Sequence, residues 1–128
     1  TSREGSSFPS TCYRGGSMLD RLREKIIQFR DLRDWKQFHD PKNLAEAIAI
    51  ESAELLENFL WKTCDECRKP PADLVAAIGE EIADIAIFLT ILAHELDLNI
   101  EEIVNGKLEL NEERYPVETS RGKAGKDF

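Results

Sequence analysis

The sequence predicts an all-α bundle of four main helices, completed by association with further copies of the chain. Three observations carry this. Apolar residues recur at spacings of three and four along several stretches, with Asn and Pro between them. No alternating strand pattern or internal repeat interrupts them. The third stretch is apolar on nearly every side, so it belongs at the centre, and the rest of so short a chain cannot enclose it alone.

From Leu19 to about Asp34, Leu22, Ile26, Phe29 and Leu32 define an amphipathic first helix. Residues 1–17 are rich in Ser, Gly, Thr and Arg without periodicity, and read as a disordered leader or a cloning remnant ahead of a domain spanning 18–115. The connection 35–42 is rich in aromatics and too apolar for a plain solvated loop. Asn43 reads as the cap of a second helix running to about Lys62, with Glu46 as its capping-box partner. Leu44, Ile48, Leu55 and Phe59 form its apolar arc. Residues 63–71 form a linker closed by two prolines. A third helix extends from about Ala72 to Leu96. One face carries Leu74, Ile78, Ile85, Leu89, Leu92 and Leu96, while Ile87 and Ile91 make another side apolar. Asn99, with Glu102 in the box position, opens a fourth helix to about Leu110. Residues 116–128 lack periodicity, carry Arg121, Lys123 and Lys126, and read as a mobile basic tail.

Composition narrows the function classes. A length of 128 residues suits one domain with a modest core. A formal net charge of −8 argues against a nucleic-acid backbone as the main partner, although a bound metal can reverse the sign locally. No apolar run is long enough to span a bilayer, and the expected address is intracellular and cytoplasmic. Three cysteines, Cys12, Cys64 and Cys67, do not make a disulfide framework. Cys64 and Cys67 have metal-site spacing but lack a second pair or a nearby His, and read as incidental.

The chemistry-bearing pattern is a pair of acidic pairs. Glu81 and Asp84 stand in the most apolar helix, and Glu51 and Glu54 repeat their spacing on the second helix. In each pair one carboxylate falls in the apolar stripe and the other at its edge. Residues three apart share a helix face, so each pair is a two-pronged donor, and packed helices bring both to one place. Unpaired carboxylates in an apolar setting cost several kcal/mol each, by order of magnitude. A shared hard cation removes that cost. Oxygen ligands without nearby His or Cys select Mg²⁺, with Mn²⁺ or Ca²⁺ as further candidates. A di-iron bundle fails, because Lys36 and Ile91 stand where Glu would have to precede His39 and His94. The competing reading is a metal-free helical dimerisation module with solvated acids at its rim.

The arrangement Glu51-x-x-Glu54, separated by 26 residues from Glu81-x-x-Asp84, resembles the motif of the all-α nucleoside triphosphate pyrophosphohydrolases, the MazG-like superfamily. The segments RDWKQFHDPKNL (33–44), ENFLWK (57–62) and KLELNEERYPVETSRG (107–122) are similar to its dCTP pyrophosphatase branch. The resemblance covers about residues 19–122. It implies hydrolysis of a nucleoside triphosphate between the α and β phosphates, giving the monophosphate and pyrophosphate in nucleotide-pool house-cleaning. It implies Mg²⁺ held by Glu51, Glu54, Glu81 and Asp84, with Glu54 orienting or deprotonating the attacking water. Lys107 and Asn111 would contact phosphate, with Arg114 and Tyr115 nearby. Trp35, His39 and Trp61 would line the base pocket, and the assembly would be a homodimer or homotetramer. Phe88 departs from the pattern, since close relatives often carry Tyr there. A phosphoribosyl-ATP pyrophosphohydrolase shares fold and bond cleaved, and ranks second because the two Trp segments resemble the dCTP branch.

Overall fold

The computed structural model describes residues 16–124, all helices and connections, with no strand among the described residues. Helix α1 spans Met18–Asp31, α2 Pro41–Glu57, α3 Cys64–Arg68, α4 Ala72–Glu95, α5 Ile100–Arg114 and α6 Val117–Ser120. A single 3-10 turn, Lys36–Phe38, lies between α1 and α2. The four long helices match the expected bundle elements. The expected leader lies outside the described residues except for Gly16 and Ser17.

Ser17 belongs to the fold. Its hydroxyl accepts the Asp20 N–H at 3.1 Å and its own N–H donates to the Asp20 carboxylate at 3.1 Å, a reciprocal capping box that starts α1. The start of α2 corrects the sequence expectation. Asp40, not Asn43, is the cap, and its carboxylate accepts the Asn43 N–H at 2.9 Å. Pro41 takes the first helical position, where its missing N–H costs nothing and its fixed φ is already helical. The Asn43 amide instead donates to the Phe38 carbonyl at 3.1 Å, tying α2 back to the turn before it. Glu46 pairs with Lys42 at 3.5 Å on the exposed face. Asn99 caps α5 as expected, accepting the Glu102 N–H at 3.1 Å.

Three boundaries also move. Helix α1 ends at Asp31 and α2 at Glu57, earlier than periodicity suggested, because the chain leaves each through turns. Helix α5 continues to Arg114, and α6 forms inside the segment expected as a tail. The 63–71 linker contains α3, capped by the Thr63 hydroxyl on the Glu66 N–H at 3.2 Å. Asp34 and Asp97 take left-handed backbone conformations, φ 53° and 55°, just after α1 and α4. Short polar side chains tolerate that geometry where a helix stops.

Helix α4, about 36 Å long at 1.5 Å per residue, is the centre of the structure. It packs chiefly against α2 and secondarily against α1, while α5 makes only slight helix-to-helix contact. The closed core is small: Leu44, Ile91 and Ala93 are its buried apolar members. Leu74, Ile78, Ile85 and Leu92 of the expected α4 face are half-buried. Leu89 and Leu96 of that face are exposed, as are Val75, Ile82 and Ile87. On α5, Ile103, Val104, Leu108 and Leu110 are each about half exposed. The aromatic connection is more open than its composition suggested, with Phe38 exposed and His39 half-buried. No helix among the described residues is long and apolar enough to cross a membrane.

The cap assignment is testable by thermal or denaturant unfolding. Asp40→Ala should lower stability by about 1 kcal/mol, the usual cost of losing a side-chain cap. Asn43→Ala, which keeps its backbone N–H, should cost visibly less. The reverse order would restore Asn43 as the cap.

Candidate metal and nucleotide site

The packing of α2 on α4 brings Glu51 to Glu81 and Asp84. One carboxylate oxygen from each of the three lies within 4.8 Å of the others. Glu51 and Glu81 are half-buried and Asp84 is exposed, so the group opens from the packed seam towards solvent. One oxygen on each of Glu51 and Glu81 is buried without a hydrogen-bond partner among the described residues. Buried carboxylate oxygens are ordinarily satisfied, and an orphaned one on each of two neighbouring acids calls for a proton or a cation.

Electrostatics report the same conflict. The Glu51 carboxyl is pushed up to about 7, chiefly by sharing its proton with the adjacent Glu81 carboxylate, then by burial, then by Glu54 and by the charge of Asp84. Glu54 therefore stands close to Glu51 although it is not one of the three converging donors. Four acids of the expected quartet thus form one electrostatic unit, three aimed at a common point and Glu54 exposed beside them. An all-oxygen donor set with mutual repulsion fits a hard divalent cation, and among the described residues no His or Cys joins the group to favour zinc.

The other expected site residues divide into three places. Trp35 packs edge-on against Phe29, with ring centroids 5.8 Å apart, and the Arg33 guanidinium lies 3.7 Å from the Phe29 ring centroid. His39 meets Phe88 of α4 edge-on at 6.3 Å, and its buried Nδ1 has no hydrogen-bond partner among the described residues. Burial first, and the Arg30 charge second, lower its pKa against the opposing pull of Glu95. Phe88 stands one turn beyond Asp84, so the aromatic connection is anchored on the helix that carries two of the acids. Trp61, by contrast, is almost fully exposed and holds a left-handed backbone, φ 64°. A bulky aromatic in that conformation is strained, and such strain clusters at functional positions.

Lys107, Asn111, Arg114 and Tyr115 occupy α5 and its end. The Arg114 guanidinium lies 5.7 Å from the Tyr115 ring centroid, and the Asn111 side-chain oxygen is buried without a partner among the described residues. Helix α5 packs less extensively than α2 and α1, which make the main contacts with α4. Cys64 and Cys67 are free thiols on α3.

Two paired residues on the helices that carry the aromatic segment and the acids escaped the sequence reading. Arg30 is buried and pairs with Glu95 at the end of α4. A signal existed: Arg30 follows Ile26, and Glu95 follows Ile91, each by four residues. Each charge thus continues an apolar stripe, and opposite charges on two such stripes are a candidate pair.

All-helical topology, a carboxylate cluster between two packed helices and a flanking aromatic segment define a MazG-like helical protein, and residues 47–128 match the MazG-like family, to which the chain belongs. Relatives with curated names include dCTP pyrophosphatase 1 of Mus musculus, 40% identical over 111 residues, and of Homo sapiens, 36% identical over 111 residues. In both, the aligned part covers 84% of this chain and 65% of the relative, so the chain spans about two thirds of the length of the proteins it matches. Among solved structures, a pyrophosphatase from Archaeoglobus fulgidus DSM 4304 superposes with a TM-score of 0.71 at 37% identity, covering 83% of this chain and 99% of that one.

The raised Glu51 pKa sets a pH dependence for the metal-free protein. Between about 4.5 and about 7 the folded state holds a proton that the unfolded chain releases. The Glu51 contribution to stability is therefore full below about pH 4.5, declines as pH rises to about 7, and is lost above. Thermal unfolding in chelator across that range should show the decline, and Glu51→Gln should flatten it. An unchanged slope in the variant would remove Glu51 as its source.

Proposed function

We propose that the chain is a Mg²⁺-dependent nucleoside triphosphate pyrophosphohydrolase that clears dCTP-like or modified nucleotides from the intracellular pool. The observation that supports this most directly is the convergence of Glu51, Glu81 and Asp84 with two orphaned buried oxygens. The family and the named activity of its relatives point the same way.

In this reading Glu51, Glu81 and Asp84 hold the cation, with Glu54 completing the acidic quartet. When bound, Mg²⁺ (or Mn²⁺) supplies neutralisation of the phosphate chain and polarisation of the phosphorus under attack. Glu54, exposed beside Glu51, orients a water and takes its proton. The water oxygen forms a bond to the α-phosphorus as the bond from that phosphorus to the α–β bridging oxygen breaks, and pyrophosphate departs with the bridging oxygen. Lys107 and Asn111, one helical turn apart, contact phosphate, and Arg114 and Tyr115 lie at the same helix end. Trp35, His39 and Trp61 enclose the base. His39, with its pKa lowered, meets the base as a neutral ring.

Association of copies completes the site. Helix α5 carries exposed apolar residues and packs less extensively within its own chain than α2 or α1, while α4 leaves Val75, Ile82 and Ile87 uncovered. A homodimer or homotetramer buries these surfaces together, bringing α5 and its phosphate ligands against a neighbouring carboxylate cluster. The exposed Trp61 gains its covering in the same way.

The test is a panel of canonical and modified nucleotides assayed with Mg²⁺ for pyrophosphate, beside light scattering on the same preparation. Pyrophosphate and monophosphate should appear from a multimer. Glu81→Gln should abolish turnover while the fold is kept. Lys107→Ala should leave metal binding almost intact and cost about ten- to a hundredfold in kcat/KM, as expected for one lost charge-assisted hydrogen bond worth about 1.5–3 kcal/mol. Release of orthophosphate, or wild-type turnover in Glu81→Gln, would contradict the assignment.

A further inference from the structure

Arg30 is buried to 2% exposure in the last turn of α1, and no step of the proposed reaction uses it. It binds in three directions. Its Nη1 donates to Glu95 Oε1 at the end of α4. Its Nε donates to Asp31 Oδ1 at 3.0 Å. Its backbone carbonyl accepts the N–H groups of Arg33 and Trp35, each at 3.2 Å. One residue therefore joins the end of α1, the end of α4 and the start of the aromatic segment 35–39. The far end of that segment rests on α4 through the edge-on contact of His39 with Phe88.

Stability alone does not explain such a pair. Withdrawing two charges from water costs about as much as their attraction returns, and apolar residues of similar volume often do as well or better. What the guanidinium adds is a planar fork of directed donors, Nη1 to Glu95 and Nε to Asp31, that fixes one arrangement of the groups it joins. We propose that Arg30 and Glu95 are a positioning pair for the nucleotide site: by locking α1 to α4 they set Trp35 and His39 at a fixed place relative to the helix that bears Glu81 and Asp84. This rests on the reading above, in which segment 35–39 meets the base. Neither residue touches the reacting atoms; both act through Trp35 and His39.

Arg30→Met, Arg30→Lys and Glu95→Gln test the proposal in the full chain. Steady-state kinetics with a nucleotide, calorimetry with Mn²⁺ alone, and Trp35 emission are read on each. The emission is read in a Trp61→Phe background, which leaves Trp35 as the sole tryptophan of the two in the sequence. Arg30→Met should raise KM about tenfold or more, since small misplacements of positioning groups are costly. It should keep kcat within about threefold and Mn²⁺ affinity within about twofold, because the carboxylates are untouched. Trp35 emission should shift. Arg30→Lys, which keeps the charge and loses the fork, should recover part of the KM. A folded Arg30→Met protein with wild-type KM and emission would overturn the proposal and leave the pair a stability element. If Arg30→Met does not fold, Glu95→Gln carries the same comparison, with unchanged KM and emission again overturning it. If the wild type releases no pyrophosphate from any nucleotide, the functional reading fails instead. The emission shift then decides alone whether the pair holds the segment.

Discussion

The structure depends on the crowding of acids between α2 and α4. Three carboxylate oxygens within 4.8 Å of one another repel by roughly 3 kcal/mol per charged pair at an effective dielectric of about 20, before solvent screening reduces it. The chain has two ways to relieve this. It can keep a proton on Glu51, which its raised pKa near 7 reflects, or it can accept a cation. The proton relieves one charge; a divalent cation relieves two and satisfies the orphaned oxygens of Glu51 and Glu81 together. The same helix contact that builds the core thus builds a site under tension.

The apolar surface follows from the same economy. Helix α4 is both the centre of packing and the carrier of Glu81, Asp84 and Phe88, so its outward side cannot be used up inside one small chain. Leu44, Ile91 and Ala93 make a closed core too small to cover a helix of 24 residues. The uncovered faces of α4 and α5 are the counterpart of that shortage. The Arg30–Glu95 pair sits at the C-terminal end of α4, about three turns beyond Asp84, where a charged contact ties α1 and the aromatic segment that follows it to the same helix.

Much of this was legible before the structure. Glu81 and Asp84 stand out because their immediate neighbours in sequence are almost all apolar, and period-3.6 patterning with matched offsets on α2 placed Glu51 in the same seam. The helix ends were less legible. Asn43 and Asp40 both make plausible caps, and only Pro41 decides between them, since a proline suits the first helical turn after an acidic cap. Periodicity overran α1 and α2 because Leu32 and Phe59 keep the apolar spacing where the helices close: Leu32 is the C-cap of α1, and Phe59 bonds back only three residues, to the Leu56 carbonyl, in the turn after α2. The exposure of Leu89, Leu96 and Phe38 could not be read from pattern, which reports an apolar stripe without saying whether one chain or two will cover it. Glu54 was read both as a metal ligand and as the residue that orients the water; the structure sets it beside the converging three.

The central claim is that Glu51 trades its proton for a cation shared with Glu81 and Asp84. Calorimetric titration with Mn²⁺ in buffers of differing ionisation enthalpy measures that exchange directly. At about pH 6, below the Glu51 pKa of about 7, binding should release most of one proton per site, and at about pH 8.5 almost none. Glu51→Gln should bind weakly and release no proton. Tight binding at pH 6 without proton release, or wild-type affinity in Glu51→Gln, would contradict the account.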